Sequence, residues 1–178
     1  MPTKKENTKR SIVLEEDDQI QGIASPAKAW FLGIGIDEYK EFPKLNNAVK
    51  DVKDVMEVLI HKYDLDEENA FLLLNEEATE DNIIEKLDFF SKKLSGKDKL
   101  MIYYSGHGHM DRSTGLGFWI PQDAIQGKTS RYIRNSTILD YINVIKSRHT
   151  LLISDSCFSG SLFVRGASRA TNSAVEEL

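Results

Sequence analysis

The sequence predicts an α/β fold built on a mostly parallel central sheet flanked by helices. Three observations carry that expectation. Short apolar runs of strand length recur at residues 29–36, 70–74, 99–104 and 150–154. Amphipathic stretches of helix length lie between them, and strictly alternating strands and helices favour parallel strands joined by crossovers. The chain has 178 residues, 40% hydrophobic and 29% charged, enough for one domain with a sizeable core.

Residues 1–27 are mostly polar and charged, end near Ser25-Pro26, and read as a flexible leader that contains the short apolar stretch Ile12-Val13-Leu14. AWFLGIGI at 29–36 is a buried strand. Asn46 or Asn47 can cap a helix reaching His61. On its wheel Ala48, Val52, Val55, Met56 and Leu59 share one face. AFLLL at 70–74 is the second strand. Thr79 caps the next helix, with Glu80 and Asp81 in its first turn, Lys92 and Lys93 in its last, and Gly96 as the stop. KLMIYY at 99–104 is the third strand, with 115–121 as a short extension. A third helix starts at Asn135 or Ser136 and ends near Lys146, and TLLIS at 150–154 is the fourth strand.

Bulk properties exclude several function classes. A net charge of −5 gives no reason to expect nucleic-acid or anionic-membrane partners, and Lys97-Asp98-Lys99 reads as solvated surface. The single cysteine forms no disulfide within the chain and suits a reducing compartment. No apolar run reaches the roughly 18 residues of a membrane span, and no apolar signal core follows the basic N-terminus. Pro2 excludes N-myristoylation. A cytoplasmic protein is expected.

The chemistry-bearing residues sit after two strands. Ser105-Gly106-His107-Gly108-His109 follows the third, and Asp155-Ser156-Cys157-Phe158-Ser159-Gly160 follows the fourth. Sites of open α/β sheets gather at the carboxyl ends of strands. A lone cysteine is most often a small buried hydrophobe. Cys157, however, lies past a buried strand in a polar turn that contains glycine, where a neighbouring imidazole can take its proton. His107, flanked by glycines and 50 residues earlier, is the candidate neighbour, at a spacing matching a known histidine-before-cysteine signature, with a plain loop histidine as the alternative.

YYSGHG and LLISDSCFSG together resemble the caspase-like cysteine peptidase superfamily, most closely its metacaspase and bacterial caspase-like branch. The resemblance covers residues 29–162, with FLGIGIDEY as the opening strand and LNNAVKDVKDVMEVL as the first helix. It implies a caspase-like sandwich in which His107 is the base and Cys157 the nucleophile of a cysteine endopeptidase. It also implies an oxyanion hole from the backbone N–H groups of Gly108 and Cys157. No third catalytic residue is visible.

The resemblance places Asp51 and Asp155 in the pocket for the residue before the scissile bond. On the helix wheel Asp51 lies about 40° from Val55, at the margin of the apolar face. Acidic residues at both places imply cleavage after Arg or Lys. Self-cleavage of a zymogen is expected after Arg165 or Arg169, among small residues. Metacaspases that need calcium carry acidic residues before the helix that precedes the cysteine strand. Here that stretch reads Arg134-Asn135-Ser136-Thr137, a poor ligand set for a hard cation, so no metal or other cofactor is expected.

Residues 28–178 are therefore expected to be the large-subunit part of a caspase-like domain. The C-terminal small-subunit segment of the same gene product would be a partner, and a protein or peptide the substrate. An inactive caspase-like scaffold or regulatory module is the alternative, and a thiol redox sensor a third, weakened by the lack of a resolving cysteine. Gly33-Ile34-Gly35 lacks the third glycine of a dinucleotide site. His107, His109, Asp111 and Cys157 match no structural zinc spacing. His109 and His149 read as local structure, and Phe89 and Phe90 as helix packing.

Overall fold

The computed structural model describes residues 26–156. In chain order the elements are β1 (Ala29–Gly35), α1 (Ala48–Lys62), β2 (Ala70–Leu74), α2 (Glu80–Lys93), β3 (Lys99–Ser105), β4 (Gly108–Asp111), β5 (Leu116–Trp119), β6 (Ile133–Arg134), α3 (Asn135–Val144) and β7 (His149–Asp155). Four strands form one sheet in the order β2-β1-β3-β7, and every pairing in it is parallel. Gly35 pairs with Leu74 and with Ser105, and Ser105 with Asp155. The carboxyl ends of all four strands are therefore flush, and the loops that leave them share one edge.

Side chains alternate across this sheet, as the strand period requires. Trp30, Leu32, Ile34, Leu100, Ile102 and Tyr104 face one way and bury against Ile83, Leu87 and Phe90 of α2 and Ile138 of α3. Phe31 and Tyr103 face the other way and pack with Val52 of α1 and with Leu65. Val55, Met56 and Leu59 join this second cluster, which is the α1 face expected from the wheel. Each fully buried Leu, Ile or Phe contributes about 1.5–3 kcal/mol. Gly33 and Gly35 let α1 lie close on the sheet: a Cβ on Gly35 would stand 2.9 Å from the Ala48 carbonyl oxygen. This Gly-Ile-Gly is a helix-packing device. Phe89 and Phe90 are indeed packing residues, clustered with Phe71.

The segment at 115–121 is not an extension of β3. It supplies β5, the middle strand of a second, antiparallel sheet in the order β4-β5-β6. Its hairpin turn takes Gly115 to a φ of +68°, while the Asp111 carboxylate accepts the Ser113 N–H and hydroxyl.

Helix ends also differ in detail from the expectation. Thr79 does cap α2, its hydroxyl accepting the Asn82 N–H at 3.2 Å. The other end stops at Leu94, whose backbone turns extended, and not at Gly96. The turn beyond is held by Asp98, which accepts the Ser95 N–H and hydroxyl at 2.8 Å each and the Lys28 N–H at 2.9 Å. Asp98 is thus a buried tie between the approaches to β1 and β3, and not solvated surface. Asn47 occupies the N-cap position of α1 without a side-chain capping bond. The Asp37 carboxylate does that work instead, accepting the N–H groups of Ala48 at 2.8 Å and Val49 at 3.2 Å. No helix among the described residues is long and apolar enough to cross a membrane.

Candidate active site

The loop after β1 and the loop after β3 meet at the carboxyl edge of the sheet. The first is fixed from three sides. Asn75, at a left-handed φ of 46°, offers its side-chain oxygen to the N–H groups of Asp37 and Glu38 at 2.9 and 3.1 Å. The Leu45 N–H returns to the Asp37 carbonyl at 2.9 Å, and the Lys40 N–H reaches the Gln122 carbonyl at 3.2 Å. This rigid loop presents Tyr39, Phe42 and Pro43 to the second loop, which carries His107.

The His107 ring lies 4.8 Å from the Tyr39 ring and 6.1 Å from that of Phe42. Its Nε2 is 2.8 Å from the Pro43 carbonyl oxygen. A carbonyl only accepts, so Nε2 carries the hydrogen. In the neutral ring the lone pair is therefore on Nδ1, which is the nitrogen free to take a proton. The sequence disclosed no third group for the site. The structure shows a contact that the sequence did not, a main-chain oxygen that orients the His107 imidazole.

The His107 main chain is held as firmly. Its N–H donates to the Tyr39 hydroxyl at 2.8 Å, and its carbonyl accepts from the Tyr104 hydroxyl at 2.6 Å. Burial pushes the Tyr39 phenol up to about 12, against the opposing hydrogen bonds from the His107 N–H and Tyr104. Burial likewise pushes Tyr104 well above the ordinary range. His109 turns elsewhere, onto Phe118 and Tyr132, and Asp111 is engaged in its hairpin turn.

Cys157, Arg165 and Arg169 lie outside the described residues, as does nearly all of the 1–27 leader. The strand leading to the cysteine is described. Ser105 and Asp155 are register partners, and the Gly106 N–H donates to the Asp155 carbonyl at 3.3 Å. His107 and Cys157 each stand two residues beyond that pair in sequence. Gly108 opens β4 directly after the histidine.

Asp51, in the first turn of α1, and Asp155, at the end of β7, belong to the same side of the sheet. Tyr103 lies between their fields. Its phenol is raised first by burial and then by the charges of Asp155 and Asp51. Neither carboxylate has a cationic partner in the described ion pairs.

The calcium that some metacaspases use fits poorly here. The start of α3 presents the exposed cation Arg134, and Arg131 is close in sequence. Among the described residues no group of three or more His, Cys, Asp or Glu side chains assembles to hold a metal ion.

Comparison with known proteins agrees with this architecture. The crystal structure of protein GSU0716 from Geobacter sulfurreducens is similar with a TM-score of 0.59, at 19% identity over 73% of this chain and 50% of that one; at this identity the likeness concerns the fold. Metacaspase-1 of Eremothecium gossypii is 28% identical over 81 residues, covering 42% of this chain and 18% of that protein. The chain thus spans a minor part of that curated relative and half of the solved protein. The family described as "Metacaspase, peptidase C14 domain" matches residues 28–164, which include β1 through β7 and both motif loops. With the parallel sheet, the oriented His107 and a match over most of its length, the chain belongs to the metacaspase family of peptidase C14 domains.

Proposed function

We propose that this protein is a cysteine endopeptidase in which His107 and Cys157 form the catalytic dyad. Family membership supports cysteine peptidase chemistry in general. The observation that carries the finer reading is the His107 imidazole, held at Nε2 by the Pro43 carbonyl beside the strand that leads to Cys157.

In this reading Nδ1 of His107 takes the thiol proton of Cys157, and the thiolate attacks the scissile carbonyl carbon. The carbonyl π electrons move to oxygen, where the N–H groups of Gly108 and Cys157 hold the charge, at roughly 3 kcal/mol per donor. The intermediate collapses to a thioester as the imidazolium protonates the leaving amine, and water then hydrolyses the thioester. Asp51 and Asp155 bind an Arg or Lys side chain before the scissile bond. Residues 28–178 act as the large-subunit part and pair with a small-subunit segment of the same gene product in the cytoplasm. Processing of the zymogen falls after Arg165 or Arg169.

The test uses the only cysteine of the chain. Cys157→Ala should fold normally and lose hydrolysis and labelling by a peptide electrophile. His107→Ala should lose at least about 100-fold in activity, and His109→Ala should stay near the parent. Activity of Cys157→Ala within about tenfold of the parent would remove the thiol mechanism and favour a scaffold role.

A further inference from the structure

We infer that Tyr39 and Tyr104 form a two-hydroxyl clamp on the His107 peptide unit and act as positioning residues for its imidazole. The inference deepens the reading of His107 as the base and rests on it.

His107 sits between Gly106 and Gly108, so its own backbone supplies little restraint. Restraint comes from the two phenols together with the Ile120 N–H, which donates to the His107 carbonyl at 3.1 Å. The His107 N–H donates to Tyr39, and Tyr104 donates to the His107 carbonyl at 2.6 Å. The Tyr104 hydroxyl faces the His107 carbonyl at 2.6 Å and the Ile120 carbonyl at 3.2 Å. The two phenols thus bracket the His107 peptide unit, Tyr39 accepting at its N–H and Tyr104 donating to its carbonyl.

Three further observations support the clamp. Tyr104 is completely buried, and its ring stacks on Trp119 with centroids 4.2 Å apart. Phenylalanine would fill that space without the desolvation cost of a hydroxyl, so the hydroxyl is retained for its bonds. A Cβ on Gly106 would stand 2.7 Å from the Tyr39 oxygen and 2.8 Å from that of Tyr104. Glycine at 106 is thus required where the hydroxyls converge. Finally, Tyr39 comes from the same loop as Pro43, whose carbonyl holds Nε2. One rigid loop therefore fixes both the main chain of the histidine and the tautomer of its ring. Misplacement of a catalytic group by about 1 Å can cost about 100-fold in rate.

The experiment compares the full-length chain with its Tyr39→Phe, Tyr104→Phe and Gly106→Ala variants, and with Tyr63→Phe at an exposed tyrosine as the control. Nitrogen-15 NMR of the His107 ring reads the tautomer, and iodoacetamide labelling of the single cysteine reads its activation across pH. The Tyr39→Phe and Gly106→Ala proteins should stay folded and lose the pure Nε2–H tautomer. Their alkylation near neutral pH should slow by about tenfold, while Tyr63→Phe matches the parent. If Tyr104→Phe unfolds, Tyr39→Phe carries the test, since it keeps the ring in place. An unchanged tautomer in Tyr39→Phe would overturn the clamp. Failure of the underlying reading has a different signature: alkylation of His107→Ala equal to the parent, whatever the tautomer does in the tyrosine variants.

Discussion

Around His107 the decisive partners come from elsewhere in the sequence, and this explains what could be read in advance. The histidine and the cysteine stand out in the sequence because their side chains are chemically distinctive and glycine lies in both motifs, on either side of His107 and at Gly160 after the cysteine. The Pro43 carbonyl was not, because every residue has a carbonyl and only loop geometry selects one. Glycine at 106 was legible as a residue, but its reason is the approach of two hydroxyls. Tyr39 also yields a prediction about stability. Its phenol ionises at about 12 when folded, against 10.0 ordinarily. The folded state therefore binds this proton more tightly than the unfolded chain. The resulting stability is complete below the unfolded value and is lost as pH rises from 10 toward 12. It amounts to about 2–3 kcal/mol. Urea midpoints of the parent should fall more steeply above about pH 10 than those of Tyr39→Phe, and parallel curves would contradict the assignment. Asp51 and Asp155 give a second residue-level prediction. Two carboxylates near one phenol favour a cation, and a charge pair at about 4 Å gains roughly 4 kcal/mol at an effective dielectric near 20. Both groups are partly or fully exposed, so a net of about 2 kcal/mol, near 30-fold, is the reasonable expectation. Peptides differing only before the scissile bond should be cut faster with Arg than with a neutral isostere. Asp155→Ala should erase that margin without slowing alkylation of Cys157. Faster cleavage after Asp than after Arg would overturn the pocket.

Strands and helices followed their periodicity, so β1, β2, β3, β7 and all three helices were legible within a residue or two. Element ends were less so, because distant side chains set them. Asp37 caps α1 from eleven residues before its first residue, and Asp98, which reads as one charge among lysines, is buried by the turn it closes. Burial raises the Asp98 carboxyl, but hydrogen bonds from Ser95 and Lys28 outweigh that and hold it below the usual range. The antiparallel sheet was missed because its strands are four, four and two residues long, too short to show alternation. The start of α3 carries the remaining element-scale prediction. Arg134 occupies the stretch where a calcium-dependent relative has acidic ligands, and a guanidinium repels a divalent cation where a carboxylate would bind it. Chelation by EGTA should leave peptidase activity unchanged, and titration with calcium should give no binding heat and no shift in the thermal midpoint. Loss of activity on chelation, restored by calcium alone, would show that ligands beyond residues 134–137 form the site.

At the scale of the whole molecule the two edges of the sheet differ. Toward β2, α1 and the apolar residues of the strand cover each other. Toward β7, Leu151 is 54% and Ile153 38% exposed, on the same side of the sheet as Met101 and Tyr103. A hollow of about 330 Å³ lies beside them, lined by Leu59, Tyr63, Leu65, Met101 and Leu151 among others. Among the described residues no strand pairs with the outer edge of β7, and an unpaired edge beside exposed apolar side chains is a site for pairing with further β structure. Asp155, the residue proposed to read the substrate, ends this same strand. The small-subunit segment expected by resemblance would thus bury Leu151 and Ile153, pair with β7 and wall the pocket beside Asp155 in one step. Hydrogen exchange provides the measurement. The amides of β7 should exchange faster than those of β1 and β3 in residues 1–178 alone, and gain protection when the small-subunit segment is supplied. Leu151→Glu sits at an exposed position, so it should leave the thermal midpoint within a few degrees while abolishing that protection. Equal protection of β7 with and without the added segment would mean that the edge is not where the domain is completed.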